Sequence, residues 1–461
     1  MEQAILDLKQ DAVFECLFFD SDLAKRMQGL SKEINAFLAE EESVIEVHAD
    51  RFATGDLEVI NSRLVRMKDI GWALEKDILD NIERICALAG AADPREVSPA
   101  AFGKYRKLNF LLNCLDRLEV RGRDSAGIQL SFAMESPDEL TDVLGRLREK
   151  GLHGDFTQRA IAGDLVNRSI RVTDRLPHLS FTYKTASIIG ELGRNIRELR
   201  KTVAEDAVFR EFATSRSALE TALAHTRWAS VGSITEDNCH PVNNYTLDGN
   251  IKHYPAYGEG AWTISAALNG DVDNYPDLRR RIENGAECIA PELTTDTKII
   301  PLQIEKYLLE GCDLTEAFRR AVSDFEGSHA IAMVSSLEPS RIFLALKGSG
   351  QTIYVGIAPD RYLFSSELYG LVEETPRFIQ MDGEILAIPE DHGSAGQILV
   401  LDQKTPGGVS GIQSFYYNGV PLLWQPSDIR GAEMTTRDID RGAYPHFFLK
   451  EINESVYSVH K

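Results

Sequence analysis

The chain has 461 residues with an ordinary globular composition, 43% hydrophobic and 26% charged, and a formal net charge of −21. So acidic a chain, without a long lysine or arginine run, excludes nucleic acid as a partner, because nucleic-acid binding depends on basic surface. No run of about 18 uncharged apolar residues is present, so we expect no membrane span. The start at Met1 lacks the features of a signal peptide, and we expect a cytoplasmic protein.

The six cysteines are widely spaced and form no Cys-x-x-Cys pair. They are Cys16, Cys86, Cys114, Cys239, Cys288 and Cys312. Zinc sites and disulfide frameworks need clustered or regularly spaced cysteines, so we expect neither a metal site nor disulfides. Nothing else in the sequence indicates a cofactor, and we predict none.

The first ninety or so residues are predicted to be helical. One helix is expected over residues 22–41, and a second apolar stripe follows at spacings of three and four over residues 57–85. Gly90 is expected to end the second helix, since glycine tolerates the left-handed C-cap conformation. These two helices are expected to pack as a hairpin. A third helix is predicted over residues 98–118, with a serine N-cap followed by proline.

The rest of the chain mixes strands with helices. The predicted strands are 127–132, 179–183, 262–268, 330–334, 342–346, 353–357, 362–365, 385–388 and 398–401. The predicted helices are 138–150, 186–203, 206–223, 276–283, 297–309 and 314–325. Runs of strands interrupted by paired helices indicate sheets packed in layers with helices outside, an α+β fold. Residues 435–461 are polar and aperiodic, and we predict an exit linker there.

Three short polar segments lie on predicted loops beside strands. Arg227 precedes Trp228; an arginine can clamp a carboxylate through two parallel hydrogen bonds, and a tryptophan can wall off water. Asn269 and Gly270 end a strand, where an amide and a backbone N–H can stabilise an oxyanion. Asp296 opens a helix, where a carboxylate can pair with an ammonium group. Singly, these features are also typical of a surface contact, a turn and an N-cap.

Several segments resemble, in order along the chain, the class II glutamine amidotransferase domain of the glutamine–fructose-6-phosphate aminotransferases. The resemblance covers roughly residue 98 to the end. The central segments are 225–229 (His-Thr-Arg-Trp-Ala), 238–241 (Asn-Cys-His-Pro), 269–270 (Asn-Gly) and 295–297 (Thr-Asp-Thr). The outer segments are 117–127 (Arg-Leu-Glu-Val-Arg-Gly-Arg-Asp-Ser-Ala-Gly), 364–367, 381–385, 441–447 and 450–452.

The resemblance implies both a fold and a glutamine site. The implied fold is the four-layer αββα sandwich of N-terminal-nucleophile hydrolases, here with an extra N-terminal helical segment. By the same resemblance, Arg227 and Asp296 would bind the carboxylate and amino groups of glutamine. Asn269 and Gly270 would form the oxyanion hole. The family hydrolyses glutamine through a γ-glutamyl thioester and passes the ammonia to a sugar phosphate.

At several positions the sequence differs from the family pattern. The family nucleophile is a cysteine at residue one of the mature chain, whereas this chain opens with Met1-Glu2. Val231 and Leu268 stand where the family typically has histidines. Ser230 replaces a glutamine-contacting threonine, and Trp228 matches the tryptophan that gates ammonia passage.

Neither of two internal cysteines takes the place of that nucleophile. Cys16 lacks the glycine-rich continuation that follows the family cysteine, and Cys239 is expected to be a buried thiol.

Three domains are predicted: a helical extension or insertion over 1–95, the amidotransferase domain over 96–440, and a connector over 441–461. The expected partners are L-glutamine, sugar isomerase domains of the same enzyme if the chain is a fragment, and further copies of the chain in a homo-oligomer. A catalytically inactive glutamine-binding or regulatory module is the alternative. A purely structural helical scaffold would rest on the first 94 residues alone.

Overall fold

The computed structural model describes residues 2–48, 51–173, 177–186, 191–285, 287–389, 395–442 and 444–459. Its α-helices are α1 Glu2–Leu8, α2 Asp11–Phe19, α3 Ser21–His48, α4 Thr54–Trp72, α5 Asp80–Ala89, α6 Pro99–Leu118, α7 Pro137–Glu149, α8 His153–Ala162, α9 Arg194–Glu205, α10 Ala207–Ala213, α11 Tyr275–Asn284, α12 Ile299–Leu309, α13 Leu314–Ser323 and α14 Phe447–Val459. Its strands are β1 Ser125–Met134, β2 Ser169–Thr173, β3 His178–Thr185, β4 Ser217–Arg227, β5 Val242–Asn243, β6 Lys252–Tyr254, β7 Gly258–Gly260, β8 Ile264–Gly270, β9 His329–Ser335, β10 Arg341–Lys347, β11 Tyr354–Ile357, β12 Tyr362–Ser365, β13 Arg377–Gln380, β14 Gln397–Asp402, β15 Ile412–Tyr416 and β16 Arg430–Gly431.

The predicted N-terminal hairpin is confirmed. Helices α3 and α4 pack through an apolar cluster that includes Ile34, Leu38 and Ile70. A π-helical segment, Ala73–Leu79, joins α4 to α5. Helix α5 then ends at Gly90 in the left-handed conformation, with φ of 67°, as the C-cap argument predicts.

The base of this hairpin holds the start of the C-terminal segment. The hydroxyl of Thr436 donates to the buried carboxylate of Asp77 at 2.9 Å and accepts from Trp72 Nε1 at 3.1 Å. Arg437 Nε donates to Asp69 at 2.7 Å. Lys9 pairs with Asp77 from the other side at 2.8 Å. The end of α4 and the π-helical segment are therefore tied to the chain just before α14.

Helix α6 has the predicted start. Ser98 Oγ accepts a hydrogen bond from the Ala101 N–H at 3.2 Å, and proline occupies the first turn. Its inner face buries Tyr105, Leu108 and Leu112. Because these residues recur every three or four positions, one face of α6 lies along the sheet beneath it.

Three antiparallel sheets carry most of the strands. Sheet 1 has the order β2-β3-β1-β4, sheet 2 the order β15-β14-β10-β9-β8-β5, and sheet 3 the order β12-β11-β13-β16. Strands β6 and β7 form a separate pair. In the part of the chain that is described, β4 is the last strand of sheet 1 and β12 the first strand of sheet 3.

The sheets and helices stack in four layers. One face of sheet 1 packs on α6, α9 and α10, and α6 also packs on sheet 3 through Phe110. Sheet 2 turns one face to α12 and α13, through residues such as Met333 and Phe318. Its other face meets sheet 3 and Leu223 of β4. The order helix, sheet, sheet, helix confirms the predicted α+β, four-layer αββα fold.

Helices α2 and α5 belong to the core of sheet 1. Phe14, Leu17 and Ile85 share one apolar cluster with Phe132 and Phe181 of β1 and β3. Helices α2 and α5 thus complete the outer helical layer on sheet 1. The boundaries at 95 and 440 stay predictions.

The predicted helix over residues 206–223 is wrong beyond its first two turns. Helix α10 ends at Ala213, and β4 begins at Ser217. Leucines four apart, Leu219 and Leu223, imitate a helical stripe in the sequence. Pairing with β1 along ten register positions overrides that local preference.

Three other predictions are corrected. Residues 385–388 form no strand, because the Asp382 carboxylate accepts from the Glu384 and Ile385 N–H groups and turns the chain. The C-terminal linker contains α14, whose first turn is capped by His446 Nδ1 accepting from the Leu449 N–H at 3.2 Å. The helix predicted from 186 begins at Arg194, and residues 187–190 lie outside the described residues.

Candidate functional site

A cavity of about 830 Å³ lies between α6, β4, β12 and sheet 2. At one end it is lined by all six side chains or backbone positions that the sequence singled out: Arg227, Trp228, Ser230, Asn269, Gly270 and Asp296. They come from the end of β4, the end of β8 and the turn before α12. Residues nearly seventy positions apart in the sequence therefore share one wall of one cavity.

The Arg227 guanidinium is buried and is held by its own loop. Its Nη1 donates to the Ser233 carbonyl at 3.0 Å, and its Nη2 donates to the Val231 carbonyl. An arginine has five N–H donors, and no further hydrogen bond of this group to a described residue is present, so three donors stay open to a ligand. Burial lowers the pKa of Arg227, and Asp296 and Asp124 act in the opposite direction.

Asp296 lies 5% exposed at the turn before α12. One carboxylate oxygen accepts from the Val272 N–H at 3.1 Å, and the other has long contacts of 3.4 Å with two threonine hydroxyls. The backbone of Thr297 also interacts with this carboxylate and lowers its pKa. Burial raises the pKa of Asp296, and the nearby Asp271 raises it further, while Arg227 lowers it. A ligand cation placed beside the second oxygen would stabilise the ionised form of Asp296 and lower its pKa.

The loop that carries Asp296 is fixed by Asn238. The side-chain oxygen of Asn238 accepts from the N–H groups of Thr294 and Thr295, each at 2.8 Å. Its amide nitrogen donates to the Glu292 carbonyl at 2.9 Å. Asn238 is fully buried, so this one side chain satisfies three backbone groups that would otherwise be unpaired.

Asn269 is oriented by a histidine of the neighbouring sheet. His225 Nε2 lies 2.8 Å from Asn269 Oδ1. Since the amide oxygen is occupied, the amide nitrogen of Asn269 is the group left to face the cavity. No hydrogen bond of that nitrogen to a described residue is present, which makes it a donor for a ligand oxygen.

Gly270 could not be another residue without rearrangement. Its φ is +87°, in the left-handed region, and a Cβ built there would lie 2.2 Å from the Ser328 carbonyl oxygen. Glycine therefore lets the strand end pass close to residue 328.

Trp228 and Ser230 occupy the mouth of the cavity. Trp228 is 77% exposed, so it does not close the site in this structure. The Ser230 hydroxyl donates to the Asp271 carboxylate, and the Ala229 N–H donates to Asp124 at 2.8 Å. Both contacts hold the segment after Arg227 against the cavity rim.

Two histidines that were not assigned a role also line the site. The rings of His225 and His240 lie 4.5 Å apart between centroids, and His240 Nε2 lies 2.7 Å from Thr297 Oγ1. Burial lowers the pKa of His225 to about 4 and that of His240 well below its ordinary value. Both rings are therefore neutral near pH 7. Each stands in a segment that carries the family resemblance, which was the available signal for them.

The two positions where the family typically has histidines serve other purposes here. Val231 contributes its carbonyl to Arg227. Leu268 is buried against the helices of sheet 2.

Of the six cysteines, all within the described ranges, only Cys114 lines the cavity. Its Sγ contacts the Gly370 carbonyl at 2.9 Å, and burial raises its pKa to about 12. Cys239 is fully buried and contacts the carbonyls of Thr185 and Thr235. Cys16 is exposed and is not among the residues that line the cavity. A protonated thiol is a poor nucleophile, so Cys114, the one cysteine that lines the cavity, is not suited to attack a ligand there.

Within the described ranges, no cluster of three or more histidine, cysteine or carboxylate side chains is arranged to hold a metal ion. None of the helices in those ranges has the length and apolar character needed to cross a membrane.

The sequence is similar to curated glutamine–fructose-6-phosphate aminotransferases (isomerizing). The relative from Methanothermobacter thermautotrophicus is 31% identical over 237 residues, which is 51% of this chain and 33% of that protein. The relative from Clostridium tetani is 25% identical over 371 residues, 80% of this chain and 42% of that protein. The chain thus spans less than half the length of these relatives. These similarities confirm the resemblance that the sequence segments indicated.

No protein-family model matches the chain. A solved structure of glutamine phosphoribosylpyrophosphate amidotransferase from B. subtilis, complexed with ADP and GMP, overlaps 67% of this chain and 46% of that one. It is 14% identical with a TM-score of 0.38, too low for the likeness to carry an argument.

Proposed function

We propose that this relative of the glutamine–fructose-6-phosphate aminotransferases binds L-glutamine in the cavity and forms the glutaminase part of an enzyme that supplies ammonia for amino-sugar phosphate synthesis. Arg227 takes the α-carboxylate, Asp296 the α-ammonium group, and the Asn269 amide with the Gly270 N–H receives the oxygen of the side-chain amide. Sugar isomerase domains of the same enzyme would use the ammonia.

One observation carries this proposal. A buried guanidinium with three open donors and a buried carboxylate with one weakly paired oxygen line the same end of one cavity. Buried charges are normally paired with an opposite charge. A ligand that carries one negative and one positive group would pair with both Arg227 and Asp296. The carboxylate and ammonium groups of a free amino acid have that character. The adjacent donors of Asn269 and Gly270 favour a side chain that ends in a carbonyl.

A second candidate is a module that binds glutamine without hydrolysing it by its own residues. The cysteines favour it, since only Cys114 reaches the cavity and its pKa is raised to about 12. The two candidates share the glutamine site and differ only in turnover. An assay for glutamate release by the purified chain separates them.

The test of the shared site is calorimetric titration with L-glutamine. We expect saturable binding, with affinity reduced about 10- to 100-fold by Arg227→Ala, because hydrogen bonds to charged groups contribute about 1.5–3 kcal/mol. Arg377→Ala is the matched control, since Arg377 is exposed on sheet 3 and remote from the cavity lining. Absence of binding by the unaltered chain, or an equal loss in both variants, would reject the site.

A further inference from the structure

One arginine is buried between sheets 1 and 2 without a partner for its charge. Arg171, on β2, is 5% exposed. No hydrogen bond or ion pair joins its guanidinium to any residue in the described ranges, and it lies over the ring of Tyr245, 5.5 Å from the ring centroid. A buried charge without a partner is costly. Arg171 therefore needs an acceptor that the described residues do not supply.

The side chain of Arg171 is on the face of β2 that is turned toward sheet 2. Along β2, Ile170 belongs to the apolar cluster beneath the helices, and side chains alternate between the two faces of a strand. Ser169, Arg171 and Thr173 therefore face the other way. The Thr173 hydroxyl donates to the carbonyl of Ala261 at 3.1 Å. This contact fixes the inner face of β2 against the start of β8.

The facing surface of sheet 2 also carries polar groups. In β8, Ile264 and Ala266 pack on the helical side, whereas Ala267 packs toward sheet 3 and β4. By the same alternation, Thr263 and Ser265 face sheet 1, and they are only 2% and 1% exposed. Two buried hydroxyl groups of sheet 2 therefore lie on the side that β2 covers.

Three hydroxyl groups on these two faces have no partner among the described residues. They belong to Ser169, Thr263 and Ser265, and each oxygen is buried. Buried polar atoms are normally hydrogen-bonded. Each hydroxyl can donate one hydrogen, and a guanidinium has five N–H donors and no acceptor. An acceptor placed among these groups would satisfy all of them.

The buried charges near Arg171 leave one positive charge in excess. Lys184 and Lys298 share a single carboxylate, that of Asp164. Glu305 is the other buried carboxylate whose charge acts on Arg171, and its hydrogen bonds go to an asparagine and a tyrosine. Burial lowers the pKa of Arg171, and the two carboxylates oppose that effect. Three buried cations thus accompany two buried carboxylates.

Tyr245 forms one wall of the space around Arg171. Its ring rests on the backbone of Gly163, where a Cβ would lie 2.5 Å from the ring carbon Cγ. Its N–H donates to the Asn243 side-chain oxygen at 2.8 Å. The ring is therefore fixed beneath the guanidinium. Neither Tyr245 nor Arg171 lines the cavity of the candidate glutamine site.

We propose that Arg171 and the three hydroxyl groups bind one small monovalent anion, such as chloride, between sheets 1 and 2. The guanidinium supplies the opposite charge, and the hydroxyls of Ser169, Thr263 and Ser265 complete the set of donors. A single negative charge balances the buried cations. The near-complete burial of Arg171 excludes a bulky organic anion. The site does not depend on glutamine binding, because it lies outside that cavity.

The first experiment measures thermal unfolding of the full chain while gluconate is replaced by chloride at constant ionic strength. A ligand that binds only the folded chain stabilises it, so we expect the Tm to rise by about 2 °C or more and then to saturate. Arg171→Met removes the charge and should abolish the rise. An unaltered chain that does not respond to chloride, or an equal rise in Arg171→Met, would overturn the proposal.

The order of stabilities gives a second readout. In gluconate, Arg171→Met should be at least as stable as the unaltered chain, because the substitution removes an unpaired buried charge. In chloride, the unaltered chain should be the more stable of the two. Arg377→Met, at an exposed position of sheet 3, is the matched control and should keep the full chloride response. A variant Arg171→Met that is much less stable in both salts would show that the guanidinium already has a partner within the protein.

Ser265→Ala keeps every charge of the site and removes one donor. The chloride concentration at the midpoint of the Tm rise should increase about tenfold, since a hydrogen bond to a charged group is lost. Ser323→Ala, at an exposed position of α13, should leave that midpoint unchanged. The same midpoint in both serine variants would reject the placement of the anion beside Ser265.

Bromide locates the ion directly. In crystals of the full chain grown with bromide in place of chloride, anomalous scattering should show a peak within hydrogen-bond distance of the Arg171 guanidinium and the Ser265 hydroxyl. The peak should be absent from crystals of Arg171→Met. A water molecule at this position, or bromide peaks at the surface only, would overturn the proposal.

Discussion

His225 Nε2 lies 2.8 Å from Asn269 Oδ1 and fixes which end of that amide faces the cavity. Because burial lowers the pKa of His225 to about 4, the ring is neutral near pH 7 and a single proton is shared between its two nitrogens. With that proton on Nε2, the histidine donates and the amide oxygen of Asn269 accepts. This contact between sheet 1 and sheet 2 therefore leaves the amide nitrogen of Asn269, a hydrogen-bond donor, to face the cavity.

His225→Phe should weaken both the fold and the site. The Asn269 oxygen would lose its partner, at a cost of about 1–3 kcal/mol in the free energy of unfolding. Chemical denaturation measures this loss, and calorimetry should show weaker glutamine binding. His253→Phe, at an exposed position, serves as the control and should change neither. Unaltered glutamine affinity in His225→Phe would mean that Asn269 does not contact the ligand.

Glutamine affinity should fall in acid because of Asp296. Burial, followed by the effect of Asp271, raises the pKa of Asp296 above its ordinary 3.8. Binding of an ammonium group needs the ionised carboxylate, so the dissociation constant should rise as the pH falls through this raised pKa. Titration calorimetry at a series of pH values measures the change. Asp296→Asn should bind weakly with no such dependence; a dependence that survives the substitution would implicate another group.

Gly270→Ala should lower the free energy of unfolding by more than the unfavourable backbone conformation alone would explain. The added Cβ would lie 2.2 Å from the Ser328 carbonyl oxygen at a residue with φ of +87°. Gly151→Ala is the control, because Gly151 has φ of +70° with nothing within 4 Å of its Cβ position. Gly151→Ala should cost about 1–2 kcal/mol, and Gly270→Ala clearly more. Equal unfolding free energies would show that the strand end shifts without penalty.

Asp164 should be a strong determinant of stability. It pairs with Lys184 at 3.3 Å and Lys298 at 3.1 Å, and all three side chains are at most 1% exposed. Asp164→Asn removes the carboxylate that pairs directly with two buried ammonium groups and should cost about 3–5 kcal/mol. The exposed pair of Asp277 and Arg280 is the control, and Asp277→Asn should cost under about 1 kcal/mol.

The pH dependence of this cluster has a definite sign. Burial alone would raise the pKa of Asp164, but Lys184 and Lys298 outweigh burial and hold the pKa below its ordinary value. The contribution of the cluster is therefore complete above about pH 4 and is lost as the pH falls through the folded-state pKa. Acid unfolding of Asp164→Asn should show a smaller loss of stability than that of the unaltered chain.

Leu17→Ala should destabilise the amidotransferase-like core even though Leu17 precedes it in the sequence. Leu17 is fully buried in the cluster that contains Phe132 and Phe181, and such truncations cost about 2–5 kcal/mol. Phe37→Ala, at a 47% exposed position of the hairpin, should stay within about 0.5 kcal/mol. A neutral Leu17→Ala would show that the helices before residue 95 form a separate unit.

The spacing of apolar residues correctly predicts those elements whose local sequence preference agrees with their packing. The α3–α4 hairpin, the Gly90 cap and the Ser98 cap follow from spacing and capping residues alone. Strand β4 was not predicted. Its alanines and leucines favour a helix locally, and only its pairing with β1 makes it a strand. The strand predicted at 385–388 is wrong for the opposite reason. The stretch is apolar enough for a strand, but the Asp382 side chain turns the chain there.

The candidate site was predictable in its members but not in its connections. Arg227, Asn269 and Asp296 are weak signals singly, and they were predicted because they occur together in segments that resemble one family. The pairing of His225 with Asn269, and the role of Asn238 under the loop, arise only when sheets 1 and 2 face each other. Such long-range contacts leave no periodic trace in the sequence.

The contacts at Thr436 have a mechanical consequence. Helix α3 has 28 residues, and its partner α4 ends beside the Asp77 and Thr436 pair. A displacement of this long hairpin would therefore act on the C-terminal segment through the buried carboxylate of Asp77, by way of residues that do not line the cavity.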